Sequence, residues 1–146
     1  MVRTMTALML MLVMLPVAAI AAEETVTVRD AYVRGLPPGV KNTAAYMTII
    51  NNGDEDLELI GANTNAADNT MLHTTVNRNG QLSMEHVMSR TVPAGGELVL
   101  ESGGLHLMLM GLRKPLASGD IVSLTLQFKG AFVVPLELPV VSVLDE

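Results

Sequence analysis

The sequence predicts an all-β fold, an antiparallel β-sandwich or barrel in a single domain, on three observations. Short β-branched or alternating runs recur along the chain, separated by turn signals such as NNGD, NRNG, PAGG, SGG, ASGD and FKGA. No stretch carries the period of a long amphipathic helix. The 146 residues are 49% hydrophobic and 16% charged, a balance that suits a packed core and not a disordered chain.

The first residues stand apart from that pattern. Arg3 precedes an apolar run from Met5 to Ile20, which ends in Ala19-Ile20-Ala21. These are the three parts of a secretory signal peptide, with cleavage expected before Ala22. The apolar run is short for a bilayer span, which needs roughly 20 residues, so no stable membrane insertion is expected after cleavage. Residues 1–21 are therefore assigned to the signal and 22–146 to the folded domain, expected in the periplasm. Roughly 125 residues remain, enough for one sandwich-sized core. The sequence has no cysteine, which excludes a lipoprotein cleavage site and any disulfide framework.

Eight or nine strands follow in order. TVTVRDAYVR leads into a loop at Pro37-Pro38, and TAAYMTIINN, LELIGANTN, TMLHTTVNR and QLSMEHVMSR come next. GELVLES, LHLMLMG, DIVSLTLQF and AFVVPLELPVVSV complete the series. Pro135 and Pro139 point to an edge or a bulge in the last run, because proline donates no ladder hydrogen bond. Asn79-Gly80 is a strong hairpin signal, since both residues tolerate the positive φ of a type I′ turn. In that register Arg78 faces Gln81, Thr75 faces Met84, His73 faces His86 and Met71 faces Met88. All but the first of these pairs share one face of the hairpin.

GGLHLMLMGL, residues 103–112, alternates strictly. As a strand it has one face of Leu105, Leu107 and Leu109 and another of His106, Met108 and Met110. The leucines account for a core. The other face belongs to a wider cluster: five of the six methionines after residue 21 lie between Met71 and Met110, beside all three histidines. Met is a common core filler, so one such residue carries little weight. Two separate strands with the same His/Met composition carry more. Thioethers are soft, uncharged ligands that prefer Cu(I), and imidazole also suits copper. Thiolates bind Cu(I) as well but are oxidised outside the cytoplasm. Imidazole ligates only when neutral, so such a site weakens below roughly pH 6.5.

His73, ten intervening residues, Met84, twenty-one more and then His106-Leu107-Met108 form a spaced set. It resembles the motif of the periplasmic copper chaperones known as the PCu(A)C family. AYVRGLPPGVKNTAAYMTIINNG and VPAGGELVLESGGLHLMLMGLRKPLASGD are similar to that family around the motif. The resemblance implies a cupredoxin-like sandwich that holds one Cu(I) through His73, Met84, His106 and Met108. Two positions after Met84 the family usually carries Pro, and here His86 stands. His86 is a candidate additional ligand, a group that orients His73, or a solvated surface histidine. Met71, Met88 and Met110 are expected as an apolar shell.

The implied function is a Cu(I) chaperone that delivers copper by ligand exchange to a copper-accepting subunit of a respiratory oxidase. Copper storage or tolerance, and a metal-free structural sandwich, are the alternatives. An electron-transfer cupredoxin is excluded, because a blue copper site needs a cysteine thiolate. No nucleophile–base pair or paired-acid constellation suggests an enzyme. Asp54, Glu55, Asp56 and Asp68 fall in expected loops as solvated acids. With net charge −6 and no basic run, nucleic acid is not an expected partner.

Overall fold

A computed structural model describes residues 25–142, so the signal assigned to residues 1–21 lies outside the described residues. Ten strands are found among them. They are β1 (Val26–Gly35), β2 (Asn42–Asn51), β3 (Leu57–Thr64), β4 (Ala67–Arg78), β5 (Gln81–His86), β6 (Arg90–Val92), β7 (Glu97–Leu100), β8 (Leu105–Leu112), β9 (Ile121–Phe128) and β10 (Phe132–Ser142). The hydrogen-bonded order is β5-β4-β8-β2-β1-β10-β9-β3-β6, and β7 pairs with β2. One face of each half carries the alternating apolar residues. Leu72, Leu107, Leu109, Ala45 and Ile49 from one half pack with Leu59, Leu124, Leu126, Phe128 and Leu138 from the other. Burying that alternate set drives the two halves together.

The fold is all-β and single-domain, as the sequence predicts, with two differences. The antiparallel sandwich has one parallel seam: β1 runs parallel to the end of β10, Val33 beside Val140 and Gly35 beside Ser142. This pairing joins the two halves into one continuous order, and it links the first and last described strands. The second difference is the short β6, which continues the run that was expected to stay with β5. The backbone bends at Met88, and Arg90–Val92 crosses over to pair with β3. Pro135 and Pro139 sit where β10 pairs with β9, short of its contact with β1, so their missing donors interrupt no described ladder.

The turn between β4 and β5 has the predicted geometry. Asn79 and Gly80 have φ of 55° and 84°, and the register runs from Arg78–Gln81 through Thr75–Met84 to His73–His86. The Asn77 side chain also accepts the Gly80 amide hydrogen at 2.8 Å. On its other edge β4 pairs with β8, His73 opposite His106 and Met71 opposite Met108.

The two leucines at the ends of the exposure scale make the packing testable. Leu107 is 0% exposed and Leu82 is 68% exposed. Leu107→Ala is expected to lower unfolding stability by about 2–5 kcal/mol in chemical denaturation. Leu82→Ala should stay within about 0.5 kcal/mol of the unaltered protein.

Candidate metal centre

Alternation and register decide which side chains meet. Leu72 in β4 and Leu107 in β8 both point into the core, so their neighbours His73, Met71, His106 and Met108 take the opposite face. The three histidines then form one row across three strands. His73 lies between His106 and His86, with ring centroids 6.2 Å and 5.7 Å away respectively. A second row holds Met108 and Met71. Met84 enters from the hairpin on the far side of the histidine row, opposite Thr75 and diagonal to His73.

His106 is the unusual member. It lies on the outer face yet is only 3% exposed. Its Nδ1 is 3.0 Å from the carbonyl oxygen of Gly104. A carbonyl only accepts, so Nδ1 carries the hydrogen and Nε2 keeps its lone pair. That Nε2 is buried and has no hydrogen-bond partner. Leaving a buried polar atom unsatisfied costs about 1–3 kcal/mol, so the orphan calls for a ligand. His73 repeats the arrangement more loosely, its Nδ1 3.4 Å from the Met71 carbonyl oxygen. In both rings Nε2 is the atom left to ligate.

Two adjoining hollows flank His106. One is lined by Ala44, Tyr46, Met84, His106 and Met108 among others, so three of the four motif residues border a single space. Ala44 stands opposite Met108 on β2, and its short side chain leaves room there. The second hollow lies between Arg34, Tyr46, Met84 and His106. His73 borders neither and meets the group through its stacking on His106. Among the described residues no group of three or more His, Cys, Asp or Glu is disposed to hold a metal. A site on this face that drew on the thioethers would favour a soft monovalent ion such as Cu(I) over hard or borderline cations.

The structure thus brings His73, Met84, His106 and Met108 onto one face, and it places His86 beside His73 at the outer strand. Met84 is 58% exposed, in contrast to His106. Of the residues expected as a shell, Met110 is half-buried, while Met71 and Met88 face solvent.

Sequence reasoning missed the wall behind His106. The chain has two tyrosines, and both are in it. Tyr46 packs 6.4 Å from the His106 ring and 5.3 Å from Tyr32. The Arg34 guanidinium lies over Tyr46 at 5.1 Å and donates to the Ser102 hydroxyl at 3.0 Å. The available signal was the alternation of AAYM, which puts Tyr46 on the face opposite the buried Ala45.

Comparison with known proteins follows the same lines. The family profile described as LpqE-like matches residues 26–140. A protein of Leifsonia xyli subsp. xyli named "Putative lipoprotein Lxx21020" is 39% identical over 116 residues, covering 79% of this chain and 69% of its own. The solution structure of apo-DR1885 from Deinococcus radiodurans is 37% identical, covers 99% of both chains and superposes with a TM-score of 0.65. Its Cu(I) form is 38% identical over 79% of this chain and 77% of its own, with a TM-score of 0.64. The copper-bound PCuAC domain of PmoF2 is 19% identical, over 81% of this chain and 93% of its own, at a TM-score of 0.68, a likeness of fold.

The hydrogen bond to Gly104 makes a direct prediction. Long-range proton–nitrogen correlation spectra of the metal-free protein should identify His106 as the Nδ1–H tautomer at neutral pH. An Nε2–H signal for this ring would contradict the arrangement.

Proposed function

The chain belongs to the LpqE-like family, and from that premise we propose that it is a periplasmic Cu(I) chaperone. His73, Met84, His106 and Met108 are the proposed ligands, two imidazoles and two thioethers around a soft monovalent ion. The observation that carries the reading is the buried, unpartnered Nε2 of His106, which shares a hollow with Met84 and Met108. A copper ion there would satisfy the orphan and draw the two sulfurs inward. The similarity to the Cu(I) form of DR1885, at 38% identity, supports the choice of metal.

The exposure gradient fits carriage better than permanent retention. His106 is fixed from behind by Gly104 and Tyr46, while Met84 on the hairpin faces solvent. An incoming ligand can therefore displace the outer thioether first, with no proton transfer, and copper can pass on by stepwise exchange. No bond of a substrate is made or broken, so the reading is of a carrier and not an enzyme. The proposed recipient is the copper-accepting subunit of a respiratory oxidase, by likeness to the PCu(A)C chaperones. Cleavage before Ala22 would release the domain into the periplasm.

Anaerobic titration with Cu(I) against a chromophoric competitor tests this. The protein should take up one tightly held equivalent, and Met108→Ala or His106→Ala should weaken it by about a hundredfold, on the order of 3 kcal/mol. Failure of the unaltered protein to compete for Cu(I) would overturn the reading. The loaded protein should then metallate the apo copper domain of an oxidase subunit. Retention of the copper in that mixture would favour storage.

A further inference from the structure

Three strands carry the same pair of residue types on the same face, and the proposed site uses only part of them. β8 has His106-Leu107-Met108, β4 has Met71-Leu72-His73 in the opposite direction, and His86-Val87-Met88 runs off the end of β5. In each triplet the middle residue is a buried aliphatic: Leu107 and Leu72 at 0% exposure and Val87 at 8%. Burial of the middle residue turns the His and Met beside it outward. The Val87 amide donates to the Leu72 carbonyl at 2.9 Å, so β5 stays laddered to β4 up to the residue before Met88. The antiparallel register then aligns histidine with histidine, as the His106–His73 and His73–His86 pairs confirm.

The four motif residues account for His106, Met108, His73 and Met84. His86 and Met88, beyond β4, and Met71, on β4 opposite Met108, remain. His86 is exposed, Met71 is 38% exposed and Met88 is 79% exposed, so all three are accessible to an ion from solvent. Met71 is diagonal to His86 across the ladder, within reach of a long side chain. One imidazole and two thioethers can supply a three-coordinate site for Cu(I), with the same ligand chemistry as the inner one.

We infer that Met71, His86 and Met88 form a second Cu(I) site beside the first, with His73 between the two sites' imidazoles and Met71 opposite Met108 of the first. It rests on the reading of the inner site as a Cu(I) site. Its ligands are exposed where His106 is buried, so it binds more weakly and exchanges faster. Repulsion between two neighbouring cations weakens it by about a further tenfold or more. Met84 of the inner site and His86 of the outer one both belong to β5, which makes this strand the face from which a partner collects the ion.

The test is the stoichiometry of Cu(I) uptake, measured anaerobically with a strong and a weak competitor. The unaltered protein, the pair His86→Asn with Met88→Leu, and Met108→Ala are compared. The unaltered protein should bind two equivalents, the second at least tenfold more weakly. The His86/Met88 variant should bind one, with the tight affinity changed less than about threefold. Met108→Ala should weaken the tight equivalent by about a hundredfold and leave the weak one unchanged. Saturation of the unaltered protein at one equivalent, weakened in Met108→Ala, would overturn the second site and leave the first intact. Two equivalents in the His86/Met88 variant would likewise overturn it. No uptake by any of the three would overturn both sites. All three positions are partly or fully exposed, and circular dichroism of each variant checks that the fold is retained.

Discussion

The histidine row depends on one constraint, the register of β4 between its two neighbours. A strand shifted by a single residue would turn Leu72 outward and His73 into the core. Two devices hold the register. On one edge the Asn79-Gly80 turn closes the hairpin with both residues at positive φ, which suits the twist of the flanking strands. On the other edge Leu72 and Leu107 lie side by side and fully buried, so slippage would expose both. Placement of the candidate ligands follows from these two apolar and conformational terms. None of it requires metal to be present, so the face is organised before any ion arrives.

That preorganisation has a cost concentrated at His106. A nearly buried imidazole with an unpartnered Nε2 is unfavourable by itself, and its surroundings hold it there. The Gly104 carbonyl fixes the ring from Nδ1, and Tyr46, itself packed on Tyr32 and covered by Arg34, blocks retreat on the other side. The result is asymmetric. The candidate ligand atom of His106 is held from behind at the base, while Met84 reaches over from an exposed hairpin. In the proposed chaperone, such a combination would permit tight capture and stepwise release with the same residues.

Local patterns made much of this legible in the sequence. The alternation of LHLMLMG placed leucines in the core and the His/Met set outside, and NRNG specified the hairpin register that aligns His73 with His86. Both depend on residues close together in the chain. The parallel pairing of β1 with the end of β10 was not legible, because it joins segments more than a hundred residues apart and leaves no local signature. The departure of β6 from β5 was not legible for a related reason: the bend at Met88 has no Gly or Pro to announce it. Tyr46 escaped because an aromatic residue in a strand usually signals packing, and only the fold brings it against His106.

A soft, mixed ligand set of His73, Met84, His106 and Met108 is proposed to hold the tightly bound copper ion. X-ray absorption at the copper edge, on protein loaded anaerobically with less than one equivalent of Cu(I), examines that set directly. The account predicts both sulfur and nitrogen scatterers in the first shell, with the sulfur contribution reduced in Met84→Leu and in Met108→Leu. A shell of nitrogen and oxygen alone, unchanged by either substitution, would contradict it.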